Sequence, residues 1–224
     1  MCGRFTLFST FETIIERFQI DQAFDETEYQ ISYNIAPSHR VVAVINDGTK
    51  NRLGYLRWGL IPPWAKDDKF GYKLINARSE TLTEKPSFRK AYQNKRCLIV
   101  ADSYYEWKQS SNGKTPMRIK LKSGEPFGLA GLWESWKSPE GQAIYTCSII
   151  TTASNELTAP IHERMPVILN PKDEQKWLDP KNHDSKILNQ YLRPFKPELM
   201  EAFEVSAEVN SPKNNTEHLI QRIC

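Results

Sequence analysis

The sequence predicts an α+β domain, with one mainly antiparallel, barrel-like β-sheet and short flanking helices across residues 1–224. Three observations lead there. Short apolar runs rich in β-branched and aromatic residues recur from Val41 onward. Turn-forming pairs separate them, at Asn46-Asp47-Gly48, Asn112-Gly113, Ser123-Gly124 and Glu140-Gly141. No internal repeat or Gly/Ser-rich linker divides a chain that is long enough for one large core.

The elements follow in order. Ser9 with Glu12 reads as a capping box, and Phe11, Ile14, Ile15 and Phe18 share one face of the helix behind it. Val41–Ile45 and Leu53–Trp58 read as a hairpin. Further strands are expected at Cys97–Ala101, Tyr104–Lys108, Met117–Leu121, Phe127–Trp133, Ile144–Thr151 and Pro166–Leu169, with a last one near Phe203–Val209. Short helices are expected at Ser87–Tyr92, Asn155–Leu157, Asp173–Trp177 and Lys186–Leu192. A polar C-terminal tail begins at about residue 210.

The net charge of +3 is small, but its distribution is uneven. From Arg57 to Lys108 there are eleven Lys/Arg against six Asp/Glu, interleaved with Trp58, Trp64, Phe70, Tyr72, Phe88 and Tyr92. Cations that neutralise phosphates beside rings that stack on bases suit single-stranded nucleic acid. A solvated face beside a buried aromatic core fits the same composition. Cys2, Cys97, Cys147 and Cys224 form no C-x-x-C pair, and His39, His162, His183 and His218 lack ligand spacing, so neither a metal nor a disulfide framework is expected. No cofactor is expected either. Sparse cysteines, no signal segment and no apolar run of bilayer length suggest a cytoplasmic protein without a membrane partner.

The chain opens Met1-Cys2-Gly3-Arg4. The small Cys2 side chain favours removal of Met1, which leaves a thiol and an α-amine on adjacent carbons. Both have a usable deprotonated fraction near neutral pH. An amine condenses with an aldehyde to an imine, and the neighbouring thiol closes a five-membered thiazolidine, so position 2 points to covalent chemistry on a carbonyl carbon; an ordinary cysteine near an inert N-terminus is the other reading. Three further segments concentrate polar groups among apolar ones: Asn76-Ala77-Arg78, Tyr104-Tyr105-Glu106-Trp107 and His162-Glu163-Arg164-Met165-Pro166. On a strand Glu106 faces away from Tyr105 and Trp107, either into a pocket, where burial would raise its pKa, or out to solvent. Asn76 and Arg78 fit a turn and a salt bridge as well, and His162 fits a loop histidine bonded to a backbone carbonyl.

The ordered set Cys2-Gly3-Arg4, Tyr33-Asn34-Ile35-Ala36-Pro37, Trp58-Gly59-Leu60-Ile61-Pro62, Asn76-Ala77-Arg78, Tyr105-Glu106-Trp107, Ala130-Gly131-Leu132-Trp133 and His162-Glu163-Arg164-Met165-Pro166 resembles one family. It is the SOS-response-associated peptidase (SRAP) family, whose members process abasic sites in DNA. The resemblance implies the SRAP fold and a partner, single-stranded DNA containing an abasic site. It further implies that Cys2 forms a thiazolidine with the abasic aldehyde, assisted by Asn76, Glu106 and His162 as catalytic residues. Arg4, Asn34, Pro37, Trp64, Arg78 and Arg164 would contact DNA. A monomer associated with the nucleoid during the damage response is expected, with Met1-removing peptidase activity and β-eliminating lyase activity alongside. Two alternatives remain, an N-terminal-nucleophile amidohydrolase with the Cys2 thiol as attacking group and a non-catalytic single-strand binding module.

Overall fold

The computed structural model describes residues 2–111 and 113–223. Strand β1 (Phe5–Leu7) leads into helix α1 (Phe11–Arg17), and strand β2 (Ser32–Ile35) precedes the hairpin of β3 (Arg40–Asn46) and β4 (Asn51–Trp58). Helix α2 (Phe70–Lys73) runs into β5 (Asn76–Arg78), and α3 (Pro86–Asn94) into β6 (Arg96–Ala101). Four long strands follow: β7 (Ser103–Ser110), β8 (Gly113–Leu121), β9 (Phe127–Lys137) and β10 (Ala143–Ala153). Then come β11 (Arg164–Pro166), α4 (Pro171–Leu178), α5 (Ser185–Asn189) and β12 (Met200–Glu204).

Strands β3, β4, β10, β9 and β6 pair in a ring and close a five-stranded barrel. Closure depends on a short parallel seam, Thr146 opposite Arg57 and Cys147 opposite Trp58; every other pairing in the ring is antiparallel. Strands β5 and β11 both extend from β10. The second sheet is antiparallel, in the order β12-β8-β7-β1-β2. The barrel-like α+β architecture read from the sequence is therefore present.

Packing inside the barrel is tight. A Cβ on Gly131 would lie 2.8 Å from the Cys97 sulfur, so β9 needs glycine there. Cys97 and Cys147 are both buried, as expected of small core residues. Just after β4, Gly59 adopts φ +126° and its backbone meets that of Gly71, where a Cβ would sit 2.5 Å from the Gly71 carbonyl oxygen. This contact pins α2 and the start of β5 against the barrel.

The structure corrects several local expectations. Ser9 does not cap α1. Its hydroxyl and backbone N–H both donate to Asp102, at 2.5 and 2.9 Å, so the N-cap moves to Thr10, which accepts from the Thr13 N–H. Residues 155–157 form a hydrogen-bonded turn instead of a helix, because the Asn155 carboxamide oxygen takes both the Thr158 N–H and hydroxyl at 3.0 Å. The last strand stops at Glu204, and Ala207–Asn210 turns as a 3-10 helix. Only Pro166 of the expected 166–169 strand lies within β11. The polar tail is docked: Asn34 Nδ2 donates to the carbonyls of Val209, Ser211 and Asn214, and Leu219 is fully buried. Met1, Asn112 of the expected Asn112-Gly113 turn, and Cys224 lie outside the described residues.

Candidate active site

Strand β1 pairs with β7 through Phe5 opposite Tyr104 and Thr6 opposite Ser103. The Tyr105 N–H donates to the Arg4 carbonyl at 2.9 Å, and the same register sets Gly3 opposite Glu106. The N-terminal segment is thereby laid along β7, and Cys2 is fully buried at its end. Its carbonyl accepts a 2.8 Å hydrogen bond from Asn76 Nδ2. Burial pushes the Cys2 thiol pKa well up, and the nearby Glu106 carboxylate adds to the shift.

The alternation on β7 sorts its side chains. Tyr105 packs with Val205, Val209 and Leu219, and its hydroxyl donates to the Tyr33 carbonyl at 3.0 Å. Trp107 Nε1 donates to Asn210 Oδ1 at 2.7 Å. Glu106 faces the other way, 4 % exposed, beside Cys2. Burial raises its carboxyl pKa, and its side chain lies within electrostatic reach of His162. Glu106 and His162 line a cleft of about 680 Å³ that continues past Trp107 towards Gln109 and Lys114.

His162 is delivered by the Asn155–Thr158 turn, where the Thr158 carbonyl accepts the His162 N–H at 2.9 Å. Its Nδ1 accepts the Arg164 backbone N–H at 3.0 Å, which leaves Nε2 as the nitrogen that carries the proton in the neutral ring. Arg164 is itself fixed, bidentate on Glu80 at 2.6 and 2.9 Å and bonded to the Thr151 carbonyl at 2.7 Å. Asn76 comes from β5, paired in parallel with β10 at Ile149. The preceding carbonyl, on Ile75, accepts from the Trp58 indole at 2.9 Å, and the Trp58 ring meets Phe5 edge-on at 5.1 Å. One buried tryptophan thus sits against both the Cys2 strand and the Asn76 strand.

The structure brings Cys2, Asn76, Glu106 and His162 together and disposes the expected DNA contacts in two groups. Arg78 is exposed two residues beyond Asn76, Trp64 is 55 % exposed with Phe70 edge-on at 5.2 Å, and Pro37 is half-buried in a turn. Arg4, Asn34 and Arg164 already have protein partners. Arg4 is buried, with Nη1 donating 2.7 Å bonds to Asn34 Oδ1 and the Val209 carbonyl. Trp58, Tyr104, Asn155 and Thr158 also surround the site, although in sequence Trp58 and Tyr104 stand only within longer motifs and carry no role of their own, and Asn155 falls in an expected helix. Only the Asn155-x-x-Thr158 spacing, typical of a side-chain-closed turn, signals one of them in advance. Among the described residues no group of three or more His, Cys, Asp or Glu is placed to hold a metal, and no helix is long and apolar enough to cross a membrane.

A buried thiol near the N-terminus thus lies with a carboxylate, an imidazole and an amide around it. Residues 1–212 match the family described as SOS response associated peptidase (SRAP), and the chain belongs to that family. It is 61% identical over 222 residues to the abasic site processing protein YoqW of Bacillus subtilis (strain 168), with 99% of each chain covered. It is 31% identical over 223 residues to the abasic site processing protein HMCES of Xenopus tropicalis, which covers 86% of this chain and 66% of that one. A crystal structure of a Bacteroides thetaiotaomicron protein shares the fold, with a TM-score of 0.90, 28% identity and 100% of both chains covered.

Proposed function

We propose that this protein captures abasic sites in single-stranded DNA through Cys2, once Met1 has been removed. The observation that carries the reading is the convergence on Cys2: its carbonyl is held by Asn76 and its thiol is buried beside Glu106, which His162 faces. An abasic sugar in its open form exposes a C1′ aldehyde. The Cys2 α-amine adds to C1′, Glu106 passes a proton from nitrogen to the new hydroxyl, and the C–O bond breaks as water leaves, giving an imine. The Cys2 sulfur then bonds to C1′ while its proton passes to the nitrogen, closing a thiazolidine. One water is lost overall.

The electrostatics support the assignment of roles. A carboxyl whose pKa is raised by burial accepts protons closer to neutral pH than an ordinary one. A thiol whose pKa is raised needs a base at hand before it attacks, and the Glu106 carboxylate lies beside it. His162, with its proton on Nε2, orients the ring-opened sugar hydroxyl. Asn76 holds the Cys2 backbone still during attack. Arg78, Trp64 and Pro37 meet the strand, the guanidinium on a phosphate and the rings on neighbouring bases. Arg4, Asn34 and Arg164 brace the site from within, and the two arginines add positive potential beneath the backbone. Met1 removal by the site itself, β-elimination at a captured sugar, monomeric action and a cytoplasmic, nucleoid-associated location during the damage response belong to the same reading.

The test is direct. Purified protein is incubated with single-stranded DNA carrying one abasic site and resolved by denaturing electrophoresis. A shifted band is expected with the parent and none with Cys2→Ala. An undiminished band with Cys2→Ala overturns the reading.

A further inference from the structure

Tyr104 is the residue at the reaction centre that this chemistry does not yet use. It stands on the same face of β7 as Glu106, opposite Phe5 of β1, and is fully buried. Its hydroxyl has no hydrogen-bond partner among the described residues. The other tyrosine of the pair, Tyr105, satisfies its hydroxyl on the Tyr33 carbonyl. A buried hydroxyl left unbonded forfeits its bond to water and calls for an explanation. Its electrostatic neighbours are Cys2, from the segment before β1, and Glu106, two residues on along the same face of its own strand.

Resting on the abasic-site reading, we propose that the Tyr104 hydroxyl is a further catalytic group, donating a hydrogen bond to the C1′ oxygen of the bound aldehyde. That oxygen gains negative character as the Cys2 amine adds, and it must leave as water. A donor fixed in the pocket before the substrate arrives favours both steps without giving up its own proton. Burial pushes the phenol pKa far up, so it remains a neutral donor throughout. Proton transfer stays with Glu106, and no bond to Tyr104 forms or breaks. Its missing partner is then the substrate oxygen itself.

The test is Tyr104→Phe, which keeps the ring and removes only the hydroxyl. Three rates are compared with the parent after Met1 removal: crosslinking to abasic single-stranded DNA, condensation of glycolaldehyde with Cys2 followed by intact mass, and alkylation of Cys2 by iodoacetamide. The two aldehyde reactions are expected to slow about tenfold, the size of one lost hydrogen bond. Alkylation, which has no departing carbonyl oxygen, is expected to keep its rate. The melting temperature is expected to hold or rise, because an unsatisfied buried hydroxyl has been removed, whereas a purely structural role would lower it. Equal aldehyde rates in Tyr104→Phe and parent overturn the inference, as does equal slowing of all three reactions. A parent that condenses with glycolaldehyde but leaves abasic DNA unlinked overturns the abasic-site reading instead, and the glycolaldehyde comparison still decides the role of Tyr104.

Discussion

Asn76 spends its one donated bond on the Cys2 carbonyl, at 2.8 Å, while its Oδ1 is buried without a partner among the described residues. Asn76→Asp would replace that donor with a second acceptor facing a carbonyl, and is expected to slow capture more than Asn76→Ala, read as the initial rate of crosslinking. Strand alternation sets Glu106 on the face opposite Tyr105 and Trp107 but leaves open whether that face meets a pocket or solvent; the resemblance points to the pocket, and the side chain is buried. Its raised pKa carries a stability consequence with a definite sign. A carboxyl that binds its proton more tightly folded than unfolded favours the native state at low pH, and this contribution is lost as pH rises through the folded pKa. Glu106→Gln is therefore expected to melt higher than the parent at neutral pH, with the gap closing below the ordinary carboxylate range, and to crosslink more slowly. Arg4 was not legible in the same way. It reads as a surface cation beside a reactive cysteine, yet its bonds go to Asn34 and to the Val209 carbonyl, 205 positions along the chain.

At the scale of the element, helix α1 shows where local pattern yields to tertiary contact. Ser9 and Glu12 match the capping box, but Asp102, 93 residues away, collects the Ser9 hydroxyl and the N–H groups of Phe8 and Ser9. Thr10 then caps the helix in its place. Thr10→Ala is expected to cost about 1 kcal/mol, the usual loss of a cap. Asp102→Ala is expected to cost more, about 2–3 kcal/mol, because it strips a charged acceptor from three donors at once. Thermal or urea unfolding of the two variants decides the order. The long strands β7, β9 and β10 were legible from their apolar runs, whereas β1, β2 and β5, at three or four residues each, are too short for periodicity to register. Those short strands carry or flank Cys2, Asn34 and Asn76, so the site was legible through its residue types and its resemblance, and less through its elements.

For the whole molecule, barrel closure depends on two residue pairs joining β4 to β10 in parallel, a pairing no local pattern announces. The C-terminal segment is the other long-range device. It reads as a polar tail, but it supplies the carbonyls that satisfy Asn34, the Ile220 carbonyl that accepts from Arg118 at 2.7 Å, and Leu219, which is buried against Tyr105. A chain ending at Asn210 is expected to melt lower and to crosslink more slowly than the full chain, because Asn34 loses the Ser211 and Asn214 carbonyls and Tyr105 loses its packing against Leu219. Retention of parent stability and rate would show that the segment is dispensable.

The central claim concerns both nucleophiles of one residue, and peptide mass analysis of the crosslink tests it most directly. After reaction with abasic DNA, nuclease trimming and proteolysis, the peptide Cys2-Gly3-Arg4 is expected without Met1. It should carry the sugar with one water lost overall, and its thiol should be closed to alkylation. A modified peptide whose Cys2 thiol still alkylates, a sugar attached to any other residue, or an adduct that retains Met1 would contradict the account.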